Sequence, residues 1–371
     1  MVEVSDIKDE ESLEAWLNAR PEATRQKDAV TLAHRAAMRV LPLYLTWIAG
    51  QSPKEGLTSL SILRAAMPSG VASNATTLQI ERAADFARSA AASAASASTV
   101  ASTAARSAYF SASAATSTRS VHSTARASAD SAAYFSAAWF EISKDAERLV
   151  EAPGQPMGPL WSDPDTDPFI QDWTDALAFW QASPTDWSFW INWVNAIRTG
   201  TPQNLDMLTE IAIQENDFWT GTDAEVNGRI VEIVEKYDLL DQARAFQAEQ
   251  RAITQTTATT EHRSHNQPPE LVDTPVEISR AATIIWANID EAVAELEKRE
   301  PDKPRLAKIA RSLLNAIAEV GKYCAKVGDT FVMAGAKAAG TAGGVFLINY
   351  LSDGRVMDFA TRLLKYATGG N

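Results

Sequence analysis

The residues best suited to chemistry lie in the middle of the chain, where tryptophans are interspersed with aspartates. One use of such residues is an aromatic cage around a cationic ligand. Another is a pair of Asp side chains acting as acid and base, as in glycoside hydrolysis. Helical spacing of the tryptophans favours a packed core over either site. Seven of the eleven tryptophans fall in this region: Trp161, Trp173, Trp180, Trp187, Trp190, Trp193 and Trp219.

Two further groups contain residue types that bind metal ions. Asp163, Asp165 and Asp167 alternate with prolines and lack the glycine and the distant Glu of a calcium loop, so we expect a solvated surface there. His262 and His265 are three residues apart, but no third ligand accompanies them in a tract of linker composition. The sequence therefore predicts no metal site.

The sequence also contains little that indicates catalysis. Cys324, the single cysteine, falls on an apolar helical seam, so we expect a buried thiol rather than a nucleophile. The sequence has no phosphate-binding, dinucleotide-binding, zinc-hydrolase or serine-hydrolase motif. Alternation typical of strands is nearly absent, which disfavours the α/β catalytic scaffolds. We therefore expect a protein that is not an enzyme and needs no cofactor.

Composition and charge restrict the class of protein. With 46% hydrophobic and 22% charged residues, the chain can bury cores, and the net charge is −13. The charge is uneven, since residues 140–240 carry 5 basic and 19 acidic residues and residues 303–371 carry ten basic and four acidic ones. This disfavours nucleic acid as a partner but would let the tail meet an anionic lipid surface. The acidic N-terminus has no apolar run, so we expect a cytoplasmic protein, with association with the inner membrane as an option.

The first predicted domain, residues 1–150, is helical. Helices are expected over residues 12–17 and 28–48, with Pro42 kinking or ending the second. In residues 89–138, 34 of the 50 residues are Ala or Ser, with no Gly or Pro, which predicts a long helix. The tetrapeptide at Tyr109 recurs at Tyr134, seven turns later, on the same face. Such a helix either packs closely between protomers or folds as a hairpin within its own domain.

The second predicted domain, residues 151–250, is the acidic, Trp-rich module. The helix that contains Trp173 and Trp180 should end at Ser183. Further helices are expected over residues 186–199, from about residue 204 to about 213, and from about 223 to about 236. A linker is predicted over residues 251–275 from its Thr, His and Pro content.

The last predicted domain, residues 276–371, begins with two heptad seams. Apolar residues recur at spacings of four and three on both sides of a turn at residues 300–304, which predicts an antiparallel coiled-coil hairpin. The seams are Ile278, Ala282, Ile285, Ile289, Ala292 and Leu296, followed by Leu306, Ala310, Leu313, Ile317, Val320 and Cys324.

A glycine-rich segment, residues 331–351, follows the hairpin. It has 21 residues with a single charge, enough to cross a hydrocarbon core of about 30 Å. Small residues recur every four positions, a glycine-zipper pattern that packs helices closely. Lys337 opposes insertion. The segment is therefore predicted either to insert into a membrane or to form a buried protein seam, and residues 356–366 to form a basic amphipathic helix that suits a membrane surface or an ordinary core.

Short motifs in the chain resemble uncharacterised bacterial, prophage-associated helical proteins. The motifs are the Ala/Ser-rich helix, the segment from Asp186 to Trp193 and the His265-Asn266-Gln267-Pro268-Pro269 segment. The resemblance implies a bacterial source and a modular layout with an all-helical front half. It carries no activity and no site residues to this chain.

The sequence therefore predicts an all-α, multi-domain protein that is a non-enzymatic, membrane-associated effector. Its front half would dock or sense an unknown protein partner, and its C-terminal module would bind, insert into or permeabilise the inner membrane, as a homo-oligomer. The alternative is a soluble oligomeric scaffold or adaptor. Docking is predicted for Trp173, Trp180, Trp187, Trp190 and Trp193, membrane-surface contact for Arg355, Arg362 and Lys365, and membrane or oligomer contact for Gly335, Ala339, Gly340, Gly343, Gly344, Phe346, Leu347 and Ile348.

Overall fold

The protein is all-helical throughout the part of the chain that the structure, a computed structural model, describes. The all-α class predicted from the sequence is thereby confirmed. Several predicted features, the glycine-rich segment and the two linker histidines among them, lie outside the described residues. The described residues are 3–50, 58–72, 99–116, 125, 127–128, 137–261, 276–327 and 354–369.

The α-helices of these ranges are numbered in chain order. They are α1 (Glu10–Ala19), α2 (Glu22–Ala49), α3 (Ser59–Ala72), α4 (Thr99–Thr116), α5 (Ala137–Glu151), α6 (Ile170–Ala182), α7 (Ser188–Thr199), α8 (Leu205–Ala212), α9 (Asp223–Glu261), α10 (Val276–Leu296), α11 (Lys303–Val327) and α12 (Arg355–Thr368). Short 3-10 helices lie at Val4–Asp6, Pro164–Thr166 and Asn216–Trp219.

The chain divides into an N-terminal unit (Met1–Val231) and a C-terminal unit (Glu232–Asn371). The division lies within α9, whereas the sequence placed domain boundaries at residues 150/151 and 250/251. The acidic, Trp-rich helices belong to the same unit as the front helices, because α6 packs against α2. Thr46 of α2 also donates from Oγ1 to the carbonyl of Asp172 in α6 at 2.8 Å.

Helix α2 is the centre of the N-terminal unit. It packs against α3, α4, α5 and α6, and every residue from Asp28 to Pro42 is buried. The sequence predicted that Pro42 would kink or end this helix; Pro42 does not end it, since α2 continues to Ala49. Proline removes one backbone hydrogen bond, and the packing around the helix on all sides offsets that loss, since tertiary contacts supply most helix stability in proteins.

Helix α4 is the described part of the predicted Ala/Ser-rich helix, and it packs against α2 and α3 within its own unit. Small side chains let the backbones approach, and the buried serines bond to one another and to carbonyl groups. Ser107 donates from Oγ to the carbonyl of Ser128 at 3.0 Å, and Ser128 donates from Oγ to the carbonyl of Ala33 at 2.9 Å. Arg106 is exposed. Tyr134, with the repeated tetrapeptide, lies outside the described residues.

The helices of the Trp-rich region begin and end close to the predicted positions. α6 ends before Ser183, and α7 ends at Gly200. Gly200 has a φ of 71°, in the left-handed region that favours glycine, and a Cβ there would lie 2.6 Å from the carbonyl carbon of Gly158. Only glycine therefore allows α7 to end against the segment that follows α5.

The C-terminal unit encloses one apolar core formed by the C-terminal part of α9 together with α10, α11 and α12. The side chains of both predicted seams are buried from Ile285 to Leu296 and from Leu306 to Val320. Positions beside the seams are buried as well, Val293 and Ile309 among them. Helices α10 and α11 are therefore covered on more than one face, because α9 and α12 share their core.

One prediction for this region is wrong, and another had left two alternatives open. Residues 251–261 were predicted to belong to a linker, but α9 continues through the threonine tract to Glu261. A helix that is already nucleated extends through residues of modest propensity at little cost. The apolar face of α12, predicted to suit a membrane surface or an ordinary core, lies in the protein core, with Val356, Phe359 and Leu363 buried.

The phenylalanine at the centre of this core should support the whole C-terminal unit. Phe359 is fully buried, and its ring lies 5.5 Å from that of Phe246, nearly perpendicular to it. We expect Phe359→Ala to lower the free energy of unfolding of this unit by about 3 to 5 kcal/mol, because it leaves a cavity. Hydrogen exchange of the α10 and α11 amides measures this loss. Met357→Ala, at a side chain that is 46% exposed on the same helix, is the control, and an equal loss there would contradict the packing described.

Candidate functional site

The five tryptophans predicted to dock a partner are buried in the N-terminal unit. Trp180 stacks on Trp187 with ring centroids 5.3 Å apart and planes 9° from parallel. Trp190 donates from Nε1 to Asn227 Oδ1 at 2.9 Å. Each of the five is at most 5% exposed, so their rings do not form an exposed docking surface for a protein partner.

The other predicted site residues fall into two groups. Arg355 and Arg362 of α12 pair with Glu249 and Glu235 of α9, each at 3.0 Å, and Lys365 is exposed. The second group lies outside the described residues: Gly335, Ala339, Gly340, Gly343, Gly344, Phe346, Leu347 and Ile348.

The loop aspartates were expected at a solvated surface, and this is wrong for one of them. Asp163 and Asp165 are exposed, but Asp167 is buried. Its Oδ2 accepts from Arg198 Nη2 at 2.5 Å. Because a buried carboxylate is stable only with a partner, Asp167 is a structural ion-pair residue that joins the start of α6 to α7.

A cavity of about 340 Å³ lies in the N-terminal unit. Its buried wall is one face of α2, where Thr31, His34 and Arg35 follow Lys27 at helical spacing. Trp193 of α7 lies opposite, with its ring centroid 6.3 Å from that of His34. The exposed rim is formed by Lys27, Gln155, Pro156, Thr201 and Pro202.

The sequence-based prediction for α2 did not identify this cavity wall, because only the apolar positions of the helix were considered. A usable signal was present, since Lys27, Thr31, His34 and Arg35 are polar residues on one face of a helix otherwise rich in apolar residues. Polar residues on a buried helix face require partners, and their clustering indicates either a polar network or a cavity.

His34 is held in a hydrogen-bonded position at the base of the cavity. Its Nδ1 lies 3.0 Å from Ser69 Oγ. The Ser69 hydroxyl donates to the carbonyl of Ala66 at 2.8 Å and accepts from the hydroxyl of Ser111. The single hydroxyl proton of Ser69 is already donated to Ala66, so Ser69 can only accept from His34. We therefore assign the imidazole proton to Nδ1, which leaves Nε2 as an acceptor.

Burial, with a smaller contribution from the adjacent Arg35 cation, lowers the pKa of His34 to about 4. The imidazole is therefore neutral near neutral pH. Gly70 lies against the ring, and a Cβ there would be 2.9 Å from His34 Cε1. A side chain at residue 70 would therefore displace the imidazole or close the cavity beside it.

Beneath the cavity, three arginines surround one buried carboxylate. Asp145 of α5 lies 2.9 Å from Arg35 Nε, 2.6 Å from Arg39 Nη2 and 3.7 Å from Arg148 Nη1. Burial lowers the pKa of Arg39, and Asp145 opposes that shift. Glu141 is also buried here and accepts from the backbone and the hydroxyl of Ser162.

The same arginines hold the segment that follows α5. Arg35 donates to the carbonyls of Gly158 and Pro159 at 2.9 and 2.6 Å, and Arg39 Nη2 donates to the carbonyl of Leu160 at 2.7 Å. Guanidinium groups can satisfy several carbonyl oxygens at once. This segment forms part of the cavity wall, so the ion cluster fixes the cavity's shape.

Among the described residues, no group of His, Cys, Asp and Glu side chains could hold a metal ion. His262 and His265 are not among them. No described helix is long and apolar enough to cross a bilayer. No protein-family model, curated protein or solved structure matches the chain. The resemblance to prophage-associated helical proteins therefore stays a prediction.

The low pKa of His34 predicts an acid-sensitive N-terminal unit. The unfolded chain binds the imidazole proton near pH 6.5 and the folded chain near pH 4, so stability is full above pH 6.5 and falls between these values. Asn in place of His34 keeps a donor near the position of Nδ1 but does not titrate. Between about pH 7 and about pH 4.5, we therefore expect the free energy of unfolding of His34→Asn to fall by about 2 to 3 kcal/mol less than that of the unmodified chain.

Urea unfolding followed by tryptophan fluorescence measures this difference, since ten of the eleven tryptophans belong to the N-terminal unit. His34→Asn also loses packing contacts, so the comparison is the change with pH within each protein rather than the stability at one pH. Equal pH dependence in both proteins would contradict the neutral, buried imidazole.

The arginine cluster predicts a large effect from a change that preserves shape. Asp145→Asn leaves Arg35 and Arg39 buried without their counter-charge. We expect this change to lower the free energy of unfolding, measured by urea unfolding, by about 3 to 5 kcal/mol. The control is Glu147→Gln, whose ion pair with Lys144 has side chains 44% and 41% exposed; we expect less than about 1 kcal/mol. Similar losses for the two variants would show that the cluster is not buried as described.

Proposed function

We propose that this chain is a non-enzymatic, oligomeric helical adaptor whose two units serve as binding platforms. The observation that carries the proposal is the position of α12. Its apolar face is buried in the C-terminal core, and Arg355 and Arg362 pair with acidic residues of α9. The apolar face and the two arginines that would make this helix bind a membrane surface thus contact other parts of the same unit.

The cavity of the N-terminal unit supports a binding role over a catalytic one. No Asp, Glu or Cys lines it. Its one histidine is tied through Nδ1 to Ser69, and both Ser69 and Ser111 are buried away from the cavity. General acid–base or nucleophilic catalysis needs a reactive group within reach of the substrate, and the described cavity wall does not supply such a pair.

A membrane-associated effector is the second candidate, favoured by the composition of residues 331–351. The fold constrains how this could occur. Helices α11 and α12 flank the segment and pack against each other in one unit. A single crossing would place the two ends of the segment about 30 Å apart on opposite sides of the bilayer. Insertion as a single span therefore requires α12 to leave the core that contains Phe359.

The full-length chain tests the two candidates against each other. We expect an oligomer without detergent in sedimentation velocity, and no flotation with vesicles of phosphatidylglycerol and phosphatidylethanolamine. Replacing Gly340 and Gly343 together by Leu should shift the chain toward monomer, because bulky residues prevent close helix approach along the four-residue pattern.

The matched control replaces Thr341 and Ala342 together by Leu, which adds the same two side chains beside the small-residue positions. This variant should remain oligomeric. Flotation of the unmodified chain with the vesicles would overturn the adaptor proposal in favour of the membrane effector. If the unmodified chain is a monomer, the claim that the adaptor is oligomeric is wrong.

A further inference from the structure

We propose that the cavity of the N-terminal unit binds a small organic anion with an apolar body, such as an aromatic carboxylate. This site is independent of the adaptor proposal, because it lies wholly in the N-terminal unit and does not involve oligomerisation. The proposal rests on the size of the cavity, the chemistry of its walls and the charges around it.

The cavity has the dimensions and depth of a ligand site. Its volume of about 340 Å³ falls within the range of roughly 300 to 1,000 Å³ of small-molecule pockets. His34, Trp193 and Leu208 at its base are buried, whereas Lys27 and Thr201 at its rim are exposed. The cavity is thus open to solvent on one side and closed by packed helices on the other.

The inner walls suit an apolar body. The indole of Trp193 and the imidazole of His34 are tilted by 49° to each other, and aliphatic side chains complete the surface, among them Leu149, Ile197 and Leu208. A flat ring or short alkyl chain of a ligand would lie against these groups, and its apolar surface would be removed from water. His34 is neutral and offers an acceptor at Nε2, so it adds no charge that would have to be desolvated.

The charges around the cavity select an anion. The chain has 47 acidic residues, yet the lining includes Lys27 and Arg35 and no carboxylate. Behind Arg35, the buried Arg35 and Arg39 are balanced by the buried Asp145 and Glu141, and the partly exposed Arg148 adds one positive charge. Low-dielectric walls concentrate such a field at the cavity mouth.

Lys27 is the group that can reach the anionic end of a ligand. Arg35 pairs with Asp145 and donates from Nη1 and Nη2 to the carbonyls of Gly158 and Pro159, and its Nε is buried against Asp145, so we assign it a contribution of charge to the site. Lys27 lies two helical turns before it on the same face of α2, exposed at the rim. An ammonium on a flexible stem suits contact with a carboxylate that enters from solvent.

Calorimetric titration of the full-length chain tests the site with three probes of similar shape: naphthoate, neutral naphthamide and cationic naphthylmethylammonium. We expect saturable binding of naphthoate, weaker binding of the amide and none of the cation. Lys27→Glu should weaken naphthoate binding about 3- to 10-fold, since it replaces an exposed attraction with a repulsion. Lys8→Glu, the same charge change at an exposed residue that does not line the cavity, should leave the affinity unchanged.

Thr201→Trp provides a second variant that tests location rather than charge. Thr201 is exposed at the rim, so the fold should persist while the indole fills the entrance and abolishes binding. The proposal is overturned if naphthoate does not bind saturably, if the cationic probe binds as well as naphthoate, or if both Lys27→Glu and Thr201→Trp bind naphthoate like the unmodified chain.

Discussion

The N-terminal unit depends on one buried ion cluster, in which Arg35 and Arg39 of α2 share the carboxylate of Asp145. The same two arginines bind the backbone carbonyls of residues 158–160, so one cluster joins the central helix, α5 and the segment that leads to the Trp-rich helices. Buried charges of this kind add little net stability compared with apolar packing, but removing one partner is costly. The cluster therefore fixes how these elements are placed more than how strongly they associate.

This placement explains why the front helices and the acidic, Trp-rich helices form one unit. A division at residue 150 would cut between α5 and the carbonyls that Arg35 and Arg39 bind, and would expose both guanidinium groups. It also explains the cavity. Residues 154–157, which directly precede the carbonyls bound by the arginines, form one of its sides, and α7 is brought close by Gly200, whose backbone approaches Gly158. The cavity is thus a consequence of a rigid polar network beneath it.

The C-terminal unit is organised differently, around apolar packing. Several of its ion pairs lie at the surface, as between Arg362 and Glu235, whose side chains are 35% and 33% exposed, and such pairs contribute little. Glu295 differs, since it is buried and pairs with Lys298 and Arg305. The core of Phe246, Phe359 and the hairpin seams holds α9 to α12 together. Residues 331–351 belong between two helices that pack in this core, so any function of that segment in a membrane is coupled to the stability of α12.

The sequence by itself determined the all-α class and the approximate bounds of the helices from α6 to α8, α10 and α11. Periodicity and caps are local properties, and they agree with the tertiary contacts in those elements. It also indicated that helical tryptophans are more often core residues, as Trp180 and Trp190 are. The sequence missed the burial of Asp167, because its partner Arg198 is distant in the chain. It also missed the length of α9, because the threonine tract has only modest helix propensity and extends a helix that is already nucleated.

Only the tertiary structure decided the candidate site. Lys27 and Thr201 are 174 residues apart, and His34 meets Ser69 and Ser111 across three helices. Nothing in local propensity specifies which polar residues of α2 will face a cavity and which will be satisfied by carbonyls. That choice follows from the docking of α5 and α7 on α2, since a side chain's pKa, partner and access to solvent are set by what packs against it.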